Sequence, residues 1–164
     1  MILQGRAWTF GDNISTDHII PGRFFHLRSD LDELAKNVFA DVAPGFRQKA
    51  QKGDIIIGGQ NFGLGSSREH APIVIRLAGI SAVVAKSFGR IFYRNAINVG
   101  LAAIVCDVQG IEEGDALELQ VHEGVLLDRT KGMERRFNPL PVIMQAILNE
   151  GGLVNYIRKH GGFH

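Results

Sequence analysis

The residues best equipped for chemistry stand together in Gly58-Gly59-Gln60-Asn61-Phe62-Gly63-Leu64-Gly65-Ser66-Ser67-Arg68-Glu69-His70. Glycines let the backbone approach a ligand closely. The first amides of a helix lack internal partners, and with the positive end of the helix dipole they favour a carboxylate or phosphate. Arg68 adds a planar charged fork suited to a carboxylate. In such a field a serine hydroxyl has its ionised form stabilised, which makes Ser66 a candidate base or nucleophile, with Ser67 beside it. A purely structural use has the same spacing: Ser66 and Glu69 form S-x-x-E, a capping box that only satisfies helix amides. The familiar nucleotide loops do not fit, because there is no G-K-[ST] and G-x-G-x-x ends in Arg68 instead of glycine.

A second polar cluster, Ser15-Thr16-Asp17-His18, lies between apolar residues and before Pro21-Gly22. That is natural for a site built at a strand end. Its plain alternative is an Asx or ST turn in which Asp17 bonds nearby amides. The segment Phe24-Phe25-His26-Leu27-Arg28-Ser29 is rich in aromatic and basic residues and reads as a loop facing substrate or partner.

These groups need elements to hold them. Leu3 to Phe10 reads as a first strand, and Asp30 caps a helix carrying Leu31, Leu34, Ala35, Val38 and Phe39. A short helix follows Pro44-Gly45-Phe46, and Ile55-Ile56-Ile57 is a buried strand leading into the glycine turn. After the turn we expect irregular backbone over 67–70 and a regular helix from about Pro72, where proline is tolerated early in a helix. Strands at 81–85 and 102–106 flank a helix from Ile91 to Val99, so strand and helix alternate as in a parallel sheet with crossovers. From Asp115 the pattern changes to a hairpin through 117–127, a short strand at 133–137, a helix from Pro141 to Leu148 and a last helix ending near Gly161.

With 164 residues and 45% apolar content, a single domain over 1–164 is expected. Eighteen basic and 17 acidic residues give a net charge of +1, which argues against nucleic acid as a partner. No run of about 18 apolar residues is present to span a bilayer, and the N-terminus lacks a signal-like core, so a cytoplasmic location is expected. The lone Cys106 cannot by itself hold a zinc or iron-sulfur site and reads as strand filling. The six histidines show no metal-ligand spacing, so no cofactor is expected on this chain.

Three ordered motifs carry a family likeness: Asp12-Asn13-Ile14-Ser15-Thr16-Asp17-His18-Ile19-Ile20-Pro21, Asn61 to Pro72, and Ala85-Lys86-Ser87-Phe88-Gly89-Arg90 through Asn98. Over nearly its whole length the chain resembles the small subunits of 3-isopropylmalate dehydratases, in the aconitase superfamily. The resemblance implies an α/β fold, the swivelling β/β/α domain of aconitase made as a separate chain. It implies a large-subunit partner, in a heterodimer or heterotetramer, that carries a 4Fe-4S cluster. The reaction implied moves a hydroxyl between adjacent carbons of a dicarboxylate by dehydration and rehydration. Ser66 would take the carbon-bound proton and Asp17 would be the acidic residue of the site, while Arg68, with Gly65 and Ser67, would bind a substrate carboxylate. His26, Leu27 and Arg28 would read the rest of the substrate. There the chain has His26-Leu27-Arg28-Ser29, closer to the Tyr-Leu-Arg-Thr of homoaconitase-like relatives than to Tyr-Leu-Val-Tyr. Arg28 could pair with the third carboxylate of a tricarboxylate. A homoaconitase or other alkylmalate dehydratase subunit is therefore the alternative reading, and an RNA-binding or regulatory module the alternative outside enzymes.

Overall fold

The computed structural model describes residues 1–66 and 68–162. Seven strands form one sheet in the order β4-β3-β2-β1-β5-β6-β7, with β1 spanning Ile2–Thr9, β2 Ile55–Gly58, β3 Ala82–Ala85, β4 Ala102–Val105, β5 Ala116–Gln120, β6 Val125–Asp128 and β7 Met133–Arg136. β1 to β4 pair in parallel, whereas β1, β5, β6 and β7 pair antiparallel. The sequence dictates this division. β2 and β3 are buried at every position, as parallel strands covered on both faces require. β7 alternates between half-buried and exposed, the pattern of a sheet with a wet face.

β1 belongs to both halves. Residues Ile2 to Arg6 pair with β5, and Ala7 to Thr9 pair with β2. At the hand-over a side chain on Gly5 would place its Cβ 2.0 Å from the Gly53 carbonyl oxygen, so only glycine fits. Asp54, 2% exposed, ties the same junction by accepting from Trp8 Nε1 (2.8 Å) and from the amides of Gln51 (2.9 Å) and Arg6 (3.3 Å). Burial pushes its pKa up, and these donors with the Arg6 guanidinium outweigh it, so the group is held below the ordinary value.

The helices are α1 (Thr16–Ile19), α2 (Leu31–Ala35), α3 (Phe46–Lys49), α4 (His70–Leu77), α5 (Arg90–Asn98), α6 (Val142–Asn149) and α7 (Leu153–His160), with a 3₁₀ segment at Gly22–Leu27. α2 packs on α4, α4 on α5, α5 on α6 and α6 on α7. The core is continuous and centred on Phe39, Phe46, Phe62, Ile55, Ile56, Ile75 and Leu101. One expected helix is shorter than its periodicity suggested. The run from Leu31 to Phe39 is helical only to Ala35, because Phe39 takes a left-handed conformation (φ 57°) and donates its amide to the Ile19 carbonyl. That turn stacks Phe39 on Phe10 and sets it edge-on to Phe46 at the core. Tertiary packing there overrides helical periodicity.

Candidate active site

The glycine turn leaves β2 at Gly58 and is bound on both sides by main-chain hydrogen bonds. On one side the amides of Asn13 and Thr16 donate to the carbonyls of Gln60 (2.8 Å) and Leu64 (2.9 Å), and the Gly63 amide donates to the Ile14 carbonyl (2.6 Å). On the other side Phe62 and Ser87 to Gly89 exchange bonds of 3.0 and 2.8 Å. Two bridges outside the strands, Ser15 with Leu64 and Phe62 with Phe88, extend the parallel sheet into these loops. Close approach is what the glycines supply. A Cβ on Gly63 (φ +81°) would lie 2.2 Å from Phe92 Cγ, and one on Gly89 would lie 2.8 Å from the Gly63 carbonyl oxygen.

The capping alternative for Ser66 is not what the structure contains. α4 begins at His70, its N-cap Glu69 makes no side-chain cap bond, and the Ser66 carbonyl accepts from the Arg68 amide at 2.9 Å. Pro72 sits in the first turn, where its missing N–H costs nothing. Ser66 Oγ instead lies 3.2 Å from Thr16 Oγ1. Ser66 therefore precedes the helix by about a turn, and a helix dipole acts mainly within its own first turn. The side-chain neighbour the structure gives Ser66 is Thr16. Thr16 is 3% exposed, its amide is fixed to Leu64, and its hydroxyl can donate to an alkoxide at Ser66.

The capping box is found instead at the second cluster. Ser15 Oγ accepts from the His18 amide, and His18 Nδ1 accepts from the Ser15 amide (2.9 Å), so His18 is occupied locally. Asp17 Oδ1 accepts from the Gly22 amide (3.1 Å) and from Arg68 Nη1 (3.5 Å). The turn reading and the site reading both apply to Asp17. Arg68 Nη1 also donates to the Ile20 carbonyl (2.7 Å), and its guanidinium lies 4.9 Å from the Phe25 ring centre. Among the described residues its remaining N–H groups have no protein partner, which leaves them for a ligand. Ser66, Arg68, Phe25, Glu69 and His70 line an open cleft of about 350 Å³.

The other anticipated residues are placed less centrally. Gly65 (φ +108°) adjoins Thr16. His26 is exposed and its Nδ1 meets the Arg23 carbonyl (3.0 Å). Leu27 packs half-buried against the core. Arg28 donates to the Phe25 carbonyl (3.1 Å) and lies 5.1 Å from the Phe25 ring centre. Ser67 lies outside the described residues. Sequence reasoning passed over Thr16 and Phe25 as site residues. Thr16 had a signal, since it stands in the same polar cluster as Asp17, whereas Phe25 is one of ten phenylalanines and becomes legible only through its neighbours.

Residues 10–109 match the aconitase C-terminal domain family. The chain is 58% identical over 161 residues to 3-isopropylmalate dehydratase small subunit 2 of Archaeoglobus fulgidus, covering 98% of each. It is 59% identical over 163 residues to small subunit 1 of the same enzyme from Thermotoga maritima, covering 99% of this chain and 98% of the relative. The chain belongs to the aconitase C-terminal domain family. A solved structure of 3-isopropylmalate dehydratase from Methanocaldococcus jannaschii superposes with a TM-score of 0.93 at 44% identity, covering 98% of this chain and 96% of that one. The seven-stranded α/β fold is thus that of an aconitase-type small subunit. A cluster of the kind this family implies does not fit the thiol chemistry here: Cys106 is 5% exposed, and burial pushes its thiol up to about 11, away from the thiolate a cluster needs. No three His, Cys, Asp or Glu side chains among the described residues form a metal-holding group.

Proposed function

We propose that this chain is the small subunit of a 3-isopropylmalate dehydratase, isomerising 2- and 3-isopropylmalate by dehydration and rehydration in leucine biosynthesis. The observation that carries the chemistry is the convergence of Ser66, Thr16, Arg68 and Asp17 from two loops held together by main-chain bonds. Near-full-length identity to relatives with that name supports the substrate.

Each group then has a role. Arg68 holds a substrate carboxylate through the N–H groups not used on Ile20 and Asp17, which places the adjacent C–H against Ser66. Ser66 Oγ takes the carbon-bound proton in dehydration and returns it in rehydration. Thr16 donates to Ser66 Oγ and favours its anionic form. Asp17 holds Arg68 in place and offsets its charge in the unliganded chain. Departure of the hydroxyl belongs to the large subunit, on which a 4Fe-4S cluster is expected, so activity requires both chains. Arg28 on the segment after Pro21 would face the variable part of the substrate.

The test uses the reconstituted two-subunit enzyme. Ser66→Ala is expected to lower kcat by at least about a hundredfold, the scale for losing a general base, with KM changed little. The isolated chain is expected to be colourless and inactive. Full activity of Ser66→Ala, or turnover by this chain alone, would overturn the assignment.

A further inference from the structure

We propose that Phe25 is a positioning residue for carboxylate recognition: its ring fixes the plane of the Arg68 guanidinium and ties the 3₁₀ segment, which Arg28 follows, to the glycine turn. This rests on the reading of Arg68 as the carboxylate-binding residue and adds the part that aims it.

Among the described residues, the hydrogen bonds of the Arg68 guanidinium all leave from one corner. Nη1 donates to the Ile20 carbonyl at 2.7 Å and reaches Asp17 at 3.5 Å. A planar fork held at one corner can swing about that corner, and a swinging fork loses the two-pronged geometry that makes arginine useful for a carboxylate. The Phe25 ring, centred 4.9 Å from the guanidinium carbon, restricts that swing. The attraction is that of a cation for the negative face of an aromatic ring, and it is strengthened by the partial burial of Arg68, whose side chain is 22% exposed.

The ring is itself located from several directions. His70 meets it edge-on, with ring centres 5.5 Å apart at 84°. Among the described residues His70 Nδ1, which is buried, has no hydrogen-bond partner. Both the Arg28 amide and Arg28 Nη1 donate to the Phe25 carbonyl at 3.1 Å, and the Arg28 guanidinium lies 5.1 Å from the same ring centre. The segment is pinned at its start by the two-pronged pair of Arg23 with Asp41, at 2.8 and 2.6 Å. One ring therefore locates two guanidinium groups that come from different loops. A leucine at position 25 would keep apolar packing and lose the quadrupole.

The experiment measures kcat and KM of the reconstituted enzyme carrying F25L, F25Y, R68K or F25L with R68K, using 2-isopropylmalate. F25L is expected to raise KM about fivefold to tenfold, the scale of one partly desolvated cation–ring contact, with kcat within about twofold. F25Y, which keeps the ring, is expected to recover most of that loss. In the double variant, F25L should add little to the KM of R68K, because it acts through the same guanidinium. In the isolated chain, the Arg68 Nε–H resonance should move away from its ring-shifted position in F25L and not in F25Y, a readout that folding and turnover do not supply. An unchanged resonance in F25L, a KM unchanged in F25L but raised in R68K, or fully multiplicative effects in the double variant would each overturn the role of Phe25. An unchanged KM in R68K would instead overturn the reading of Arg68 itself.

Discussion

Thr16 belongs to a polar cluster whose sequence fits both a site and a turn, and its hydroxyl lies 3.2 Å from Ser66 Oγ. If it donates there, the anionic form of Ser66 is stabilised. Thr16→Val keeps the shape and removes the donor, so kcat should drop about tenfold, the worth of one hydrogen bond to a charged oxygen. Thr16→Ser should restore it. Turnover of the three proteins in the reconstituted enzyme checks this, and an unchanged kcat in Thr16→Val would count against the donor role. At this scale the residue types were legible and their partners were not. Ser66 and Arg68 are marked by motif, but whether Ser66 caps a helix or faces a cleft depends on where α4 begins. Pro72 signals irregular backbone before the helix, and the chain starts α4 at His70, two residues earlier than that signal places it.

The elements were more legible than the contacts between them. Buried β-branched runs such as Ile55 to Ile57 announce parallel strands, and the alternation of Leu117, Leu119 and Val121 announces the antiparallel half. Phe39 shows the limit, because its left-handed turn answers to core packing between Phe10 and Phe46 rather than to the helical period preceding it. The crossing of the glycine turn over Gly89 was likewise visible only as two glycine-bearing motifs far apart in sequence. Gly63→Ala tests that crossing. Its Cβ would lie 2.2 Å from the Phe92 ring in a backbone with positive φ, a strained and overpacked position costing about 2–3 kcal/mol or more. For a chain of this size that corresponds to a fall of about 5–10 °C in Tm. Activity should fall further than stability alone explains, since Leu64 to Ser66 must shift with it. Thermal unfolding of the isolated chain and turnover of the reconstituted enzyme separate the two effects.

The whole molecule joins a parallel half that carries the site to an antiparallel half that braces it. Glu118 on β5 is the centre of the brace, accepting from Gln120 (2.8 Å), Arg129 (3.0 Å) and Gln4 on β1 (2.9 Å). Those donors hold its carboxyl down at about 2. A carboxylate with a depressed folded pKa contributes stability above its unfolded value, and that contribution is lost as pH falls. Wild type and Glu118→Gln should therefore differ in Tm by a few degrees at pH 7, with the gap closing as pH is lowered from about 4.5 towards 2. A gap constant across that window would mean the carboxylate charge is not what the brace uses.

β1, the first strand of the chain, lies at the middle of the sheet, with Ile2 opposite Gln120 and Ala7 opposite Ile55. Of the seven strands it is synthesised first, yet it gains its second neighbour only with β5. Ile2 to Arg6 must stay unpaired until β5 has emerged, after β2, β3 and β4 have been made. Pairings so distant in sequence are slow to form and leave strand edges open meanwhile. The nascent chain would therefore be the state most in need of protection, and a stall before β5 would release a product that has the residues of the glycine turn but no closed sheet to aim them.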